Sequence, residues 1–450
     1  MSDRTAGGLL PPQATYGDIV ATVADPLMHY RVGRVWWIAF AVAGLLTALM
    51  VVCIVWLFIQ GVGVWGINTA DVWGFAIANY VWWIGIGNAG TLISSLLLLT
   101  RQSWRSSINR FAEAMTLFAA AIAGLFPILH LGRPYLFYWL TPYPNTMNLW
   151  PQWRSALIWD FWAILSYLLF SIMFWYMGLI PDLATLRDRA QTRVKRLLYG
   201  AFALGWNGSA RAWARHDAAY RAMAALAVPL VCSVHSVVGL DFAASLMPGW
   251  EEAIFPPYFV VGAMFSGFAM VVTLAVLIRW GLSLQGIVTV AHFDAMAKFL
   301  LLGATVLGVS YATEWFMAWY SGEYSERSLV NFFFTGNYAA LYWTMLFCNV
   351  AVCQLFWFRP VRRSIAAVFV IAILVNVGMW LERILIVLNT LTHNYVPSLF
   401  RVFLPTIWDW LLLAGSLGFF LFLYLIFCRL VPSVSIHEVS RLRHEDGGGP

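Results

Sequence analysis

Residues 36–59 read WWIAFAVAGLLTALMVVCIVWLFI, a run of 24 residues without one charged side chain. A membrane-spanning helix needs about 20 predominantly apolar residues, so this stretch is long enough to cross a bilayer. Similar runs recur along the 450-residue chain, of which 61% is hydrophobic and only 11% charged, whereas soluble domains carry roughly 25% charged residues. Because the runs are continuous and not alternating, they favour helices over a β-barrel. The sequence therefore predicts an all-α integral membrane protein.

Ten spans are predicted, at residues 36–59, 76–100, 110–132, 157–178, 217–246, 256–281, 291–313, 338–358, 364–382 and 407–428. Lys and Arg are unevenly distributed over the loops between these spans. Of the 27 basic residues, 20 lie in loops on one side, five lie on the other side and two lie within spans. Because loops rich in Lys and Arg face the cytoplasm, both termini are expected there. We expect a multi-pass protein of a bacterial inner (plasma) membrane.

A weak internal repeat divides the chain. Residues 80–101, which begin at Tyr80, match residues 258–279, which begin at Tyr258. The two halves would run in the same direction, as two parallel four-helix bundles, although chance similarity between apolar helices is an alternative. We expect a cytoplasmic or interfacial segment at 1–35, a first bundle at 36–178, an Arg-rich cytoplasmic loop at 179–216, a second bundle at 217–358, two further transmembrane helices at 359–430 and a cytoplasmic tail at 431–450.

The Arg-rich loop is expected to contain a short interfacial helix between Asp182 and Arg189. This loop either fixes the topology or docks a partner. The tail ends in Glu-Asp-Gly-Gly-Gly-Pro at residues 445–450, a composition typical of disorder.

Ionisable side chains from three spans are predicted to lie at one depth near the outer face. They are His130 at the end of span three, Asp160 at the start of span four, and His235 and Asp241 in the outer half of span five. Such groups are costly in hydrocarbon and mark functional sites. Oxidation of a quinol releases two protons with its two electrons, and a neutral imidazole with an ionised carboxylate could accept them. The structural alternatives are an interfacial cap for His130 and an N-cap or a pair with Arg154 for Asp160.

A second ionisable set is predicted toward the cytoplasmic half of the membrane and consists of Glu113, His292, Asp294 and Lys298. Asp294 and Lys298 are four residues apart, so they could form an ion pair on one helix face. The functional alternative is a proton-exchanging half-channel built from the whole set. Glu382 and Arg383, near the predicted outer end of span nine, are interpreted as an ion pair or an interfacial anchor.

No redox centre is predicted in this chain. The five cysteines lie in apolar stretches without metal-ligand spacing, so neither a metal site nor an iron–sulfur cluster is expected. No span holds two histidines, whereas a membrane b-type haem needs two axial ligands at one depth, so haem is not expected either. Trp82 and Trp83 are candidates for the wall of a cleft that holds a lipid tail.

Several stretches resemble one known family. They are WGFAIANYVWWIGIG at 73–87, LHLGRP at 129–134, WDF at 159–161, FWYMGLIPDLA at 174–184 and VHSVVGLDF at 234–242. Together they resemble the NrfD/polysulfide-reductase (PsrC-like) membrane-subunit superfamily, and more narrowly the ActC subunits of bacterial alternative complex III. The resemblance covers nearly the whole chain. Asn88 stands where histidine is expected in many relatives, which puts a proton-relay role at that position in doubt.

The resemblance implies a menaquinol:acceptor oxidoreductase of a respiratory or photosynthetic chain. It maps the quinol site of the family onto His130, Asp160 and Asp241, and it makes His235, Arg133, Trp82 and Trp83 possible neighbours of that site. Its implied partners are an iron–sulfur subunit, a multihaem cytochrome c subunit, a homologous NrfD-like membrane subunit and membrane lipids, with no nucleic acid.

Two other classes of function compete with this interpretation. A secondary transporter would show inverted repeats around a site at the membrane midplane, whereas the repeat here is parallel. A structural paralogue would hold a complex together without binding a quinone, but the outer set of His and Asp side chains argues against it.

Overall fold

The computed structural model describes residues 15–28 and 33–446. In this part of the chain ten helices are long and apolar enough to cross a membrane, as the sequence predicted. They are α1 (Arg34–Gln60), α2 (Phe75–Leu99), α3 (Asn109–Leu129), α4 (Ala156–Arg189), α5 (Ala210–Ala243), α6 (Phe255–Gly281), α7 (Val290–Ser321), α8 (Ala339–Trp357), α9 (Ile365–Thr392) and α10 (Ile407–Leu430).

Shorter helices connect and flank these spans. The α-helical ones are Tyr16–Met28, Arg193–Phe202, Tyr324–Thr335, Arg359–Arg363 and Ile436–Asp446, and the 3₁₀ turns are Val62–Val64, Ser103–Ser107, Pro134–Leu140 and Pro397–Leu399. Two spans are irregular inside. α3 is interrupted between Ala123 and Phe126, and α8 passes through a π-helical turn at Phe347–Ala351 and then a 3₁₀ segment at Val352–Trp357. No strand occurs in the described ranges.

Successive spans run in opposite directions, so the connections alternate between two faces. We call the Arg-rich face the one formed by residues 100–108, 190–209, 282–289 and 358–364, and the Arg-poor face the one formed by residues 61–74, 130–155, 244–254, 322–338 and 393–406. Helices Tyr16–Met28 and Ile436–Asp446 pack against each other at the Arg-rich face. Assignment of the Arg-rich face to the cytoplasm rests on the charge count.

The spans form two four-helix bundles that begin one helix later than expected. α2–α5 pack together as the first bundle and α6–α9 as the second, while α1 and α10 pair with each other along their length. The two additional helices are therefore the first and the last spans, not the last two. The repeat agrees with this arrangement, because Tyr80 lies in α2 and Tyr258 in α6, which open the two bundles.

The two bundles meet where α2 lies against α6. A Cβ atom on Gly267 of α6 would come within 1.8 Å of the Cβ atom of Ala89 in α2, so this approach requires a residue without a side chain. Because the contact is this close, α2 and α6, the first helix of each bundle, form one packed interior.

The predicted segments at the Arg-rich face are more ordered than expected. Residues 182–189 are not a separate interfacial helix but the last turns of α4, and the separate helix follows at Arg193–Phe202. The extension is stable because the buried Asp182 carboxylate is 2.9 Å from Arg110 Nη2. Most of the predicted tail also folds, since residues 436–446 form a helix whose Glu438 is 2.6 Å from Arg105 Nη1. Residues 447–450 lie outside the described ranges.

α9 continues ten residues beyond the predicted end of span nine, to Thr392. Glu382 and Arg383 therefore lie buried inside the span, 2% and 3% exposed, and are not an interfacial anchor. Helix formation continues through them because the two charges neutralise each other, with Arg383 Nη1 3.1 Å from Glu382 Oε1. Asn349 donates a further hydrogen bond of 3.0 Å to the Glu382 carboxylate.

Candidate functional site

A cavity at the Arg-poor end of the first bundle brings His130, Asp160 and Asp241 together. His130 ends α3, Asp160 lies near the start of α4 and Asp241 lies near the end of α5, so all three reach the same face from different helices. The space between its lining residues, part of which is open to solvent, is about 510 Å³. It is lined by Trp73, Ile77, Tyr80, Val81, Pro127, His130, Leu131, Leu140, Leu157, Asp160, Asp241 and Phe242.

The interruption of α3 positions the imidazole. After the break, a short helical turn at Phe126–Leu129 carries Pro127, and His130 caps its end. There the His130 Nδ1 atom is hydrogen-bonded to the carbonyl oxygen of Phe126. Since a carbonyl can only accept, the proton lies on Nδ1 and the neutral ring has Nε2 as a free acceptor. The ring stacks beside Tyr80, with ring centroids 6.4 Å apart.

The two carboxyl groups lie side by side, and each keeps one oxygen open. The hydroxyl of Tyr80 donates a hydrogen bond to Asp160 Oδ2, and the Asp160 and Asp241 carboxyls interact with each other. The Oδ1 atoms of Asp160 and Asp241 are buried without a hydrogen-bond partner in the described part of the chain. Buried polar atoms are nearly always hydrogen-bonded, so these two oxygens indicate a missing donor such as a ligand hydroxyl.

The arrangement combines three acceptors with an otherwise apolar wall. His130 Nε2 and the two Oδ1 atoms can each accept a hydrogen bond, and no Lys or Arg of the described residues lines the cavity. A cavity of this kind suits a flat, mostly apolar molecule that carries hydroxyl groups. General-base chemistry at such a molecule needs acceptors within hydrogen-bond reach, and the cavity supplies them.

Four predicted neighbours of the site lie elsewhere. Arg133 is exposed at the Arg-poor face and does not line the cavity. Trp83 is fully buried and donates from Nε1 to Ser416 Oγ of α10 at 2.9 Å, so it faces α10. Trp82 packs against Trp83 and does not line the cavity. His235 is buried deeper in α5 and lies 2.5 Å from Asn88. The physical reason is that α5 turns His235 and Asp241, six residues apart, toward different sides.

Sequence reasoning did not assign Tyr80 to the site. Its hydroxyl donates a hydrogen bond to Asp160, and its ring stacks beside that of His130. A tyrosine within an apolar helix is most often a packing residue, so its residue type alone gave little indication. The available signal was its place at the start of the repeat.

The second predicted set does not form one cluster. Asp294 lies 2.7 Å from Lys298 and 3.0 Å from Arg362 at a partly exposed position. His292 closes the start of α7, where its Nδ1 accepts from the Thr289 backbone N–H at 3.0 Å. Asp294, Lys298 and His292 thus have the geometry of a surface ion pair and a helix cap.

Glu113 stands apart from that group and is buried inside the first bundle. Its Oε1 atom accepts hydrogen bonds from the hydroxyls of Ser94, at 2.5 Å, and Tyr220, at 2.9 Å. Tyr220 lines a cleft of about 1540 Å³ at the Arg-rich face, together with Arg105, His216, Asp217 and Glu438. Glu113 is thus one hydrogen bond away from that cleft.

Comparison with known proteins identifies the family. The family described as "Polysulphide reductase, NrfD" matches residues 63–393, which include both bundles. A relative from Halobacterium salinarum, described as a putative membrane subunit of a dimethyl sulfoxide reductase, is 26% identical over 233 residues, 49% of each protein. The chain thus spans about half the length of that curated relative. Because the family match covers well over half of the sequence, this chain belongs to the NrfD polysulphide reductase family.

Proposed function

We propose that this chain is the quinol-oxidising membrane subunit of an electron-transfer complex of the alternative complex III type, in a bacterial inner membrane. The observation that supports this most directly is the cavity in which His130, Asp160 and Asp241 meet. Family membership is consistent with it, since the Halobacterium salinarum relative is described as a membrane subunit of a reductase. The substrate we propose is menaquinol.

The residues present fit a quinol headgroup. One hydroxyl would donate to His130 Nε2 and the other to the open Oδ1 atoms of Asp160 and Asp241. The ring would lie among Trp73, Leu140 and Phe242, which line the same cavity. Such a pocket holds the substrate by apolar contact and orients it by a small number of polar groups.

Each acceptor then has a role in oxidation. As the quinol loses two electrons and two protons, His130 takes one proton and the carboxyl pair takes the other. Tyr80 keeps its hydrogen bond to Asp160 and so orients that carboxyl. The electrons would leave to an iron–sulfur subunit and then to multihaem cytochrome c subunits, docked beside a homologous membrane subunit. The protons have a short way to the Arg-poor face, which we place on the outside.

Proton uptake from the cytoplasm is a separate part of the proposal. Among Glu113, His292, Asp294 and Lys298, the contacts favour Glu113, because Tyr220 links it to the cleft at the Arg-rich face. The other three are engaged in surface pairing and capping.

The test is quinol binding to the purified complex. His130→Phe keeps a ring of similar shape but removes the acceptor, so the affinity for menaquinol should fall together with turnover. A matched control is His393→Phe, since His393 also stacks between aromatic rings at the Arg-poor face but lies outside the cavity. Wild-type affinity and turnover in both His130→Phe and Asp241→Asn would show that quinol binds elsewhere and would favour a purely structural role.

A further inference from the structure

A second cavity lies at the Arg-poor end of the second bundle, and the space between its lining residues, part of which is open to solvent, is about 580 Å³. It stands in the repeat position of the first cavity. The repeat pairs Tyr80 with Tyr258, which lines this cavity. Glu113-Ala-Met115 likewise resembles Asp294-Ala-Met296, and the same alignment pairs His130 with Tyr311, which lines the cavity too. The two bundles thus carry equivalent cavities with different side chains.

At the inner end of this second cavity Glu382 lies beside the guanidinium of Arg383. Glu382 accepts hydrogen bonds from the hydroxyl of Tyr311 and the amide of Asn349, and it lies 3.1 Å from Arg383. The Arg383 guanidinium stacks over the Phe259 ring, 4.2 Å from its centroid. An ion pair held in this way keeps its charges deep in the span, roughly 15 Å before the end of α9 at 1.5 Å per residue.

The middle of the cavity holds Glu314 of α7, which differs from Glu382 in having no cation beside it in the described part of the chain. Its electrostatic neighbours are three other carboxyl groups, those of Glu252, Glu326 and Glu382. A partly buried carboxylate among other carboxylates has no compensating cation, and such surroundings favour the uncharged acid.

Two glutamates outside the spans lie at the outer end of the cavity: Glu252 lines it, and Glu326 is an electrostatic neighbour of Glu252. Burial, together with the nearby charge of Glu326, raises the pKa of Glu252 to about 7. Burial likewise raises the pKa of Glu326, whose carboxylate accepts a 2.8 Å hydrogen bond from the backbone N–H of Gly249. A group that titrates near neutrality both takes and releases protons at cellular pH.

We propose that this cavity is a proton-exchange site, in which water and the carboxyls of Glu314, Glu252 and Glu326 connect the interior of the second bundle with the aqueous phase at the Arg-poor face. Its walls favour water over a quinol ring, because glutamate, tyrosine, serine, asparagine and threonine side chains all line it. Ordered water needs two to four polar partners, and these side chains supply them. The proposal goes beyond the quinol site and does not depend on it.

The experiment follows hydrogen–deuterium exchange by infrared spectroscopy on the full chain in lipid nanodiscs, without quinol. The carboxylic-acid C=O band of Glu314 is assigned as the band that Glu314→Gln removes, and Glu314→Asp, which shifts the band, serves if the first variant fails to fold. In D₂O this band should exchange quickly in the wild type. Glu252→Gln should slow the exchange roughly 10²-fold, the lower end of what a positioned proton-transfer group contributes.

The matched control is Glu251→Gln, because Glu251 is the exposed neighbour of Glu252 and does not line the cavity. In this variant the Glu314 band should exchange at the wild-type rate. Three results would overturn the proposal: the absence of a protonated Glu314 band, a band that does not exchange, or equal exchange rates in Glu252→Gln and the wild type. None of these results bears on the quinol site, since no quinol takes part.

Discussion

The two cavities at the Arg-poor face occupy equivalent places in two related bundles but hold their carboxyl groups differently. In the first bundle Asp160 and Asp241 interact with each other and leave two oxygens without partners among the described residues. In the second bundle Glu382 is bonded by Tyr311 and Asn349 and is paired with Arg383. The difference is that the second bundle places a cation beside its carboxylate, whereas no Lys or Arg of the described residues lines the first cavity. Polarity in the first cavity is therefore expected to serve turnover, and polarity at the inner end of the second to serve stability.

The largest effect is expected from Asp241→Asn in the first cavity. The amide keeps the shape of the side chain but cannot accept a quinol proton. Quinol-dependent reduction of an electron acceptor by the assembled complex should fall by roughly 10²–10⁴-fold, the range attributed to general-base catalysis. The thermal unfolding midpoint should stay near that of the wild type, because Asp241 Oδ1 has no hydrogen-bond partner among the described residues that the substitution could remove.

A control for that substitution is Asp188→Asn, whose carboxylate is exposed at the Arg-rich end of α4 and pairs with Arg187. It should turn over quinol at the wild-type rate. Normal turnover in Asp241→Asn would break the comparison, since the first cavity would then contain no essential acceptor.

Arg383→Met in the second bundle is expected to lower stability, in contrast to Asp241→Asn, which is expected to lower turnover. Removal of one partner of a buried ion pair leaves an uncompensated charge and costs about 3–5 kcal/mol. The amount of assembled complex and its unfolding midpoint should both fall. The double variant Glu382→Gln/Arg383→Met removes both charges and should recover most of the loss. If the single and double variants were equally unstable, the pair would not be the cause.

A smaller effect separates the two equivalent tyrosines. Tyr80→Phe removes the hydroxyl that donates to Asp160, and loss of a hydrogen bond to a buried carboxyl costs about 1–3 kcal/mol, so turnover should fall roughly tenfold. Tyr258→Phe, at the repeat-related position in α6, should leave quinol turnover in detergent within about twofold of the wild type, less than the cost of one ordinary hydrogen bond. Equal effects on turnover would mean that the two cavities act together in quinol oxidation.

The smallest effect is expected from Asp294→Asn at the Arg-rich face. This carboxylate pairs with Lys298 and Arg362 where it is partly exposed, and pairs of that kind contribute about 0–1 kcal/mol. Quinol turnover and proton release by proteoliposomes should equal those of the wild type. A loss of proton release in this variant would return Asp294 to the proton pathway that the sequence suggested.

The sequence predicted the ten spans because each needs only length and hydropathy, and it predicted that His130, Asp160 and Asp241 would share a depth because each lies near an end of its span. It could not show which way a side chain turns around its helix. His235 and Trp83 were expected near the cavity for that reason and lie elsewhere.

Charged residues inside helices caused the other differences. Glu382 and Arg383 suggested the end of a span, but partners from α7 and α8, Tyr311 and Asn349, allow α9 to bury them. Contacts between residues far apart in the chain, such as Asp182 with Arg110, likewise extended α4 beyond its predicted end. These contacts depend on tertiary packing, which hydropathy does not describe.

The contact between Arg105 and Glu438 also sets an order for folding during synthesis. Its two residues are separated by 333 positions, so at about 5–20 residues per second the ribosome needs roughly 17–67 s to supply the second after the first. Throughout that interval the Arg105 guanidinium, which is 4% exposed in the finished fold, lacks the Glu438 carboxylate. During that interval the guanidinium has only partners of the first bundle, such as the Ser94 carbonyl oxygen and the Tyr220 hydroxyl. The ion pair can form only after helix Ile436–Asp446 has left the ribosome and docked.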